Sequence, residues 1–174
     1  LRSLREASSA ACAEIATSSS RRSCRGLTGK PLRTIELPQL ADRPCFNGSV
    51  LPSGDGYVFA CRVGQRRATT YAGHLTSDFQ LRDSHALEFP DQILHCRGAE
   101  DPRLLTIGDQ LYMAYTGASD YIGGASMMMA RLDQDLQVPD VQYVAIAPRQ
   151  RYEQNWGFFT HQGRIMEDYM PSPH

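Results

Sequence analysis

Three segments of the chain align with one another at a constant shift of 54 residues. Residues 54–61 read GDGYVFAC, residues 108–115 read GDQLYMAY, and residues 162–169 read QGRIMEDY. Each segment places a turn signal directly before an apolar run, and this order is typical of a β-hairpin. Self-similarity at a fixed period predicts a repeat architecture in which each copy is one supersecondary unit.

The sequence around these hairpins predicts an all-β protein. Short apolar or alternating runs are separated by Gly, Pro, Asp and Asn, with no long helical pattern between them. The runs are residues 33–37, 46–51, 57–63, 69–75, 103–107, 111–116, 126–132, 141–147 and 164–169. A unit of about 50 residues with about four strands is the size of one propeller blade. We therefore predict that the chain belongs to a β-propeller.

The chain divides into two parts by composition. Residues 1–30 are rich in Ala, Ser and Arg, and we expect a disordered or weakly helical extension. A targeting peptide is the alternative, since such peptides are also rich in Ser and Arg. Residues 31–174 leave room for fewer than three blades, whereas a closed propeller needs at least about four. We expect this second part to be the N-terminal portion of a longer propeller domain.

Composition excludes several classes of function. Lys30 is the only lysine among 18 basic residues, and this excludes P-loop and Schiff-base chemistry, which need a lysine in the site. The net charge of −1 does not indicate the excess of positive charge that is typical of proteins that bind nucleic acid or an anionic membrane. No run approaches the ~20 apolar residues of a membrane span. The cysteines and histidines show no metal-ligand spacing, so we expect no metal. The five cysteines are odd in number and widely spaced, which disfavours a fully disulfide-bonded secreted domain, and we expect a cytoplasmic location.

One polar column of the repeat marks a candidate site. At the same shift of 54 residues, Asn47, Asp101 and Asn155 fall in one column ahead of the three hairpins. The innermost strand of each propeller blade lines the central channel, so residues at one end of these strands converge. The alternative is that the three side chains cap local turns, as Asn and Asp often do.

The run EDPR at residues 100–103 adds a dense charged cluster to this column. Successive side chains of a strand point to opposite faces, so Glu100 and Asp101 face one side only if the strand bends. Pro102 predicts an extended backbone for the preceding Asp101 and hence a fixed carboxylate. A fixed carboxylate beside Arg103 suits acid chemistry at a glycosidic oxygen, or hydrogen bonds to sugar hydroxyls.

These segments resemble a known enzyme family. EDPR, followed by the strand LYMAYT at residues 111–116, is similar to the motif of five-bladed β-propeller glycosidases. The resemblance is above all to glycoside hydrolase family 130, the β-mannoside phosphorylases and hydrolases, and to related β-1,2-mannosyltransferases. It extends over the segments NGSVL, YVFACRV, QNWGFF and YMPSPH at residues 47–51, 57–63, 154–159 and 169–174. It implies a five-bladed β-propeller, of which this chain holds fewer than three blades.

The resemblance also implies a role for each site residue. Asp101 matches the proton donor to the glycosidic oxygen, and Arg62 matches an arginine that binds phosphate or substrate. Arg103 is expected to hold the Asp101 loop by an ion pair. Gln154 stands where relatives carry a lysine that helps to hold phosphate, so the anion pocket has one charge fewer. The other residues expected to bind substrate or phosphate are Asn47, Glu100, Arg103, Asn155, Trp156 and His174.

Several functions stay open at this point. Action on an oligosaccharide or glycoside by phosphorolysis, hydrolysis or mannosyl transfer needs no cofactor, and phosphorolysis uses inorganic phosphate as co-substrate. An arabinanase- or fructosidase-like hydrolase needs an aspartate on the first blade, where this chain has Asn47 unless Asp42 fills that role. A non-catalytic sugar-binding propeller or an inactive fragment is the third reading.

Aromatic and sulfur-containing residues also have two interpretations. Tyr115, Tyr121 and Trp156 suit stacking on sugar faces, but aromatic residues on strands more often belong to the core. Cys61 and the methionines at residues 127–129 lie in apolar strand patterns and are predicted to be buried.

Overall fold

The computed structural model of the protein describes residues 43–64, 69–90, 96–119, 124–144 and 157–168. These ranges contain ten β-strands and no helix, which confirms the all-β prediction. Consequently, no helix long and apolar enough to cross a bilayer occurs within them. The predicted N-terminal extension and the predicted strand at residues 33–37 lie outside the described residues.

The first four strands form one antiparallel sheet, which we call sheet one. They are β1 (Cys45–Ser53), β2 (Gly56–Val63), β3 (Thr69–Thr76) and β4 (Leu81–Ala86), and they pair in chain order. A two-residue turn joins β1 to β2, and its first residue, Gly54, has φ 56°. Glycine adopts this left-handed backbone without strain, which explains the turn signal of the repeat.

The next four strands repeat this arrangement as sheet two. They are β5 (Cys96–Ile107), β6 (Gln110–Ser119), β7 (Gly124–Leu132) and β8 (Asp140–Tyr143), again antiparallel and in chain order. Gly108, at the start of the β5–β6 turn, has φ 58°, close to that of Gly54. The two sheets therefore share their strand order and the geometry of their first turn.

A hairpin follows at the third copy of the repeat. It consists of β9 (Gly157–His161) and β10 (Arg164–Asp168). Both turn residues, Gln162 and Gly163, have positive φ, at 51° and 72°. Two positive φ angles are those of a type I′ turn, which matches the right-handed twist of paired strands. A hairpin thus occurs at each of the three segments that align in the sequence.

The sheets and the hairpin pack face to face in chain order. Val58 and Ala60 of sheet one share a buried cluster with Met113 and Tyr115 of sheet two. The opposite face of sheet two packs against Phe158 of β9. In addition, β5 contacts β1 on one side and β9 on the other. The first strand of each unit is therefore next to the first strand of the following unit.

Candidate functional site

The candidate site lies at two β-bulges that occupy equivalent positions in the repeat. The β1–β2 register shifts within residues 46–49, and the β5–β6 register shifts within residues 100–103. Each bulge contains one non-glycine residue with a left-handed backbone, Asn47 at φ 47° and Asp101 at φ 56°. Asn and Asp tolerate this conformation better than other residues with a side chain. The polar column of the sequence is thus also a column of equivalent backbone geometry.

The bulge at Asp101 contradicts the predicted extended backbone and confirms the predicted bend of the strand. The extended backbone predicted for Asp101 is wrong, because the extra residue of the bulge places it in the left-handed region. The predicted bend is present, however, and it turns both Glu100 and Asp101 toward Arg62. The rule that neighbouring strand residues face opposite sides fails here because a bulge interrupts the alternation.

Asn47 and Asp101 are in direct contact across the two sheets. Asn47 Nδ2 donates a hydrogen bond to Asp101 Oδ1 at 2.5 Å, although the two residues are 54 positions apart in the sequence. The predicted convergence of the column is therefore confirmed for these two members. The contact also shows that Asn47 reaches across to sheet two with its amide. Asn155, the third member, lies outside the described residues.

Arg62 links the two carboxylates. Its Nη1 atom lies 3.1 Å from Glu100 Oε2 and 3.4 Å from Asp101 Oδ1, and its Nε donates to the Gly64 carbonyl oxygen at 3.3 Å. The side chains of Arg62 and Asp101 are only 17% and 18% exposed, so solvent screens this contact less than a surface ion pair. The guanidinium of Arg62 therefore faces two carboxylates. Together with Asn47, these three residues form a partly buried group that we call the cluster.

Among the described residues, Arg103 does not form the predicted ion pair with Asp101. It is exposed, and among the described residues the ion pair to Asp101 comes from Arg62 instead. The next residue along β5, Leu104, is buried. The strand alternation that resumes after the bulge thus turns Leu104 inward and leaves Arg103 at the surface.

The structure decides some of the remaining predictions. Tyr115 is 1% exposed and belongs to the core, as do Cys61 and the methionines at residues 127–129, so their prediction as buried strand residues is confirmed. Gln154, Trp156 and His174 lie outside the described residues, as does Tyr121.

Sequence reasoning did not single out two hydroxyl groups beside the cluster. Ser49 Oγ accepts a hydrogen bond from the Leu104 backbone N–H at 2.9 Å, and Thr70 Oγ1 donates one to the Ala99 carbonyl oxygen at 2.9 Å. A single serine or threonine on a strand has no distinguishing pattern in the sequence, so residue identity alone carries no signal for this role. Only the packing of sheet one on β5 reveals it.

Other features of the described residues do not add to the cluster. They contain no group of three or more His, Cys, Asp or Glu side chains that could hold a metal ion. An open groove of about 660 Å³ lies elsewhere, between the segments that follow β4 and precede β8. Its lining residues are Glu88, Phe89, Pro90, Gln137, Val138 and Pro139.

Comparison with known proteins gave no relative. No family model, no curated protein and no solved structure matches the chain. The residues of this chain that bear on its function are those of the cluster formed by Asn47, Arg62, Glu100 and Asp101.

Two thiols lie immediately behind this cluster. Cys61 precedes Arg62 on β2 and is fully buried, whereas Cys45 on β1 is partly exposed. A hydrogen bond from the Cys61 thiol lowers the pKa of Cys45. The same hydrogen bond, together with burial, raises the pKa of Cys61 far above its usual range. At neutral pH the thiolate therefore forms more readily at Cys45.

We expect iodoacetamide to alkylate Cys45 at least about 10-fold faster than Cys61 in the folded protein, because the thiolate is the nucleophile. The measurement is the rate of mass gain of each cysteine-containing peptide near neutral pH. Unfolding in urea serves as the control and is expected to make the two rates similar. Equal rates in the folded protein would contradict the assignment of the lower pKa to Cys45.

Proposed function

We propose that the chain is part of a five-bladed β-propeller enzyme that acts on β-mannosidic linkages, with Asp101 as proton donor to the glycosidic oxygen. The observation that carries this proposal is the contact of Asp101 with Asn47 and Arg62, which lie 54 and 39 positions away in the sequence. A carboxyl group held in one orientation between two sheets suits general acid catalysis. The resemblance of residues 100–103 to the family motif supports the same role.

The packing supports the proposed ring. Sheet one, sheet two and the hairpin follow one another face to face, and their first strands β1, β5 and β9 are neighbours in that order. In a propeller, successive blades pack in this way around a central channel. The cluster lies on β1, β2 and β5, and three of its four residues belong to first strands. A channel-facing site follows from the proposed ring.

In the proposed reaction, Asp101 gives its proton to the oxygen that leaves with the aglycone as the bond from that oxygen to the anomeric carbon breaks. The oxygen of the acceptor, a water molecule or a sugar hydroxyl, forms the new bond to the anomeric carbon and releases its proton to solvent, from which Asp101 is protonated again. Asn47 fixes the direction of the carboxyl group through its amide. Arg62 keeps Glu100 on the same side as Asp101. Proton transfer requires the carboxyl oxygen to lie about 2.6–3.2 Å from the glycosidic oxygen.

The charge of the cluster favours water or a sugar hydroxyl over phosphate as the acceptor of the mannosyl group. Arg62 is the residue expected to bind phosphate, but it lies against Glu100 and Asp101. When Asp101 carries the proton that it donates, Glu100 alone balances the charge of the guanidinium, so the cluster offers no net positive charge to an incoming anion. The sequence points the same way, since Gln154 replaces the lysine of the family motif.

We therefore expect free mannose rather than mannose 1-phosphate as the product from a β-mannoside. The measurement is product analysis by anion-exchange chromatography, with and without added inorganic phosphate, on the full-length protein that contains this chain. The expected rate is the same in both conditions. A rate that rises with phosphate, with mannose 1-phosphate as the product, would contradict the argument from charge and leave the role of Asp101 intact.

A non-catalytic sugar-binding site is the second candidate, and the same ion pair favours it. An ion pair with Arg62 needs an ionised Asp101, whereas proton donation needs a protonated one. An ionised carboxylate beside an amide and a guanidinium suits hydrogen bonding to sugar hydroxyls. Saturation binding of a mannoside without any turnover, measured by calorimetry and product analysis, would favour this candidate.

The arabinanase- or fructosidase-like alternative fits the cluster less well. It requires an aspartate in the position of Asn47, whose amide donates to Asp101 at 2.5 Å. A carboxylate at that distance from a second carboxylate would be repelled unless the two shared a proton. Asp42, the other residue proposed for this role, lies outside the described residues.

A further inference from the structure

Two hydroxyl groups of sheet one fasten β5 on both sides of the Asp101 bulge. Thr70 on β3 donates to the Ala99 carbonyl oxygen, and Ser49 on β1 accepts from the Leu104 N–H, each at 2.9 Å. Thr70 is 1% exposed and Ala99 is 3% exposed, so water does not compete for the first of these bonds. The two bonds bracket residues 100–103, within which β5 loses its register with β6.

This bracket matters because the bulge has few backbone restraints of its own. Pro102 has no N–H group with which to join the β5–β6 ladder. Asp101 has a left-handed backbone at φ 56°, which departs from the regular strand. Pairing with β6 therefore leaves the position of the Asp101 backbone loosely defined, and contacts from sheet one must supply the remaining restraints.

Two paired residues of β2 and β3 provide both a restraint on β5 and the charged contact with it. Thr70 lies directly opposite Arg62 in the β2–β3 register, so their side chains share one face of the sheet. From that face Arg62 contacts Glu100 and Asp101, while Thr70 binds the preceding residue, Ala99. One cross-strand pair thus holds three consecutive residues of β5.

We infer that Thr70 and Ser49 are positioning residues that set the carboxylate of Asp101 against Asn47 and Arg62. Removal of either hydroxyl leaves a backbone group of β5 without its hydrogen-bond partner and releases one side of the bulge. The carboxylate then moves relative to sheet one, which carries both of its partners. This geometric role is independent of turnover, and only its kinetic consequence rests on the proposed function.

The side-chain amide of Asn47 reports the geometry directly, because its Nδ2 donates to Asp101. We would record its resonances in a ¹⁵N–¹H correlation spectrum, with Asp101→Ala as the reference for a lost contact. Thr70→Val and Ser49→Ala are expected to shift the Asn47 resonances toward that reference. Thr70→Ser keeps the hydroxyl and is expected to retain the wild-type positions.

Ser84→Ala is the matched control. The Ser84 hydroxyl is buried and has no hydrogen-bond partner among the described residues, so its removal breaks no such bond. The Asn47 resonances are expected to stay at their wild-type positions in this variant. A shift as large as that in Thr70→Val would show that the probe reports any loss of a buried hydroxyl, and would overturn the inference.

Kinetics of the same variants test the catalytic consequence. Misplacement of a catalytic group by about 1 Å can cost as much as 10²-fold, so kcat is expected to fall about 10- to 100-fold in Thr70→Val and Ser49→Ala. KM is expected to change less, since the hydroxyls bind β5 rather than substrate. Thr70→Ser is expected to restore kcat, which a mere change in side-chain volume would not explain.

The outcomes separate this inference from the proposed function. Unshifted Asn47 resonances in both Thr70→Val and Ser49→Ala overturn the positioning role, whatever the kinetics show. A full-length protein that contains this chain, gives the expected shifts and does not turn over a β-mannoside would support the positioning role and remove the proposed function. If Thr70→Val fails to fold, Ser49→Ala decides the question alone.

Discussion

Asp101→Asn is expected to lower the turnover of a β-mannoside by about 10²- to 10⁴-fold, the range that loss of a general acid typically costs. The amide has nearly the shape of the carboxyl group but holds no acidic proton. Its oxygen still accepts the hydrogen bond from Asn47, and Arg62 keeps its contact with Glu100. The fold should therefore survive, and kcat measured beside the thermal unfolding midpoint checks both statements.

A comparison of two leaving groups separates proton donation from substrate binding. A 4-nitrophenyl mannoside has a good leaving group that needs little help from an acid, whereas a mannobiose needs much more. We therefore expect Asp101→Asn to lose more turnover on the disaccharide than on the nitrophenyl substrate. An equal loss on both substrates would place Asp101 in binding rather than in proton donation, and full activity would remove it from the site.

Asp55→Asn is the matched control for this substitution. Asp55 is also an aspartate paired with an arginine, since Arg82 contacts its two carboxylate oxygens at 2.9 and 2.8 Å. It lies in the exposed β1–β2 turn, outside the cluster. Turnover is expected to remain at the wild-type level in this variant. A loss comparable to that of Asp101→Asn would point to a general effect of removing a carboxylate.

The short apolar and alternating runs of the sequence predicted most of the strands, but they missed two of them. The segment LRDSHA of β4, Leu81–Ala86, is mostly polar, so it has no apolar alternation to detect. It becomes a strand because it pairs with β3, where tertiary context decides. The strand β9, Gly157–His161, reads GFFTH and does not alternate between apolar and polar residues, and it forms as the first arm of a hairpin.

The candidate site was predictable as a column but not in its contacts. The constant shift of 54 residues brought Asn47 and Asp101 together, because equivalent positions of neighbouring units lie side by side. The partner of Asp101 was not predictable, since its direction depends on a bulge that adds one residue to the strand. The same bulge explains why Arg62, from the neighbouring sheet, takes the contact predicted for Arg103.

Tyr115→Ala is expected to destabilise the protein by about 3–5 kcal/mol, the cost of removing a large buried aromatic side chain. Tyr115 is 1% exposed, and its ring lies 5.1 Å from that of Phe89 at an interplanar angle of 48°. Tyr115 belongs to sheet two and Phe89 follows β4 of sheet one, so the ring pair joins the sheets. The free energy of unfolding in urea is the measurement.

Phe159→Ala is the matched control, because it also removes a phenyl ring but from a side chain that is 51% exposed. The loss there is expected to be much smaller, since an exposed ring leaves no cavity when it is removed. Comparable losses in the two variants would contradict the packing of sheet one on sheet two through Tyr115. Loss of mannoside binding by Tyr115→Ala at unchanged stability would instead restore the sugar-stacking interpretation. The two sheets also carry opposite sides of the Asp101 cluster, so a weakened junction is expected to reduce turnover together with stability.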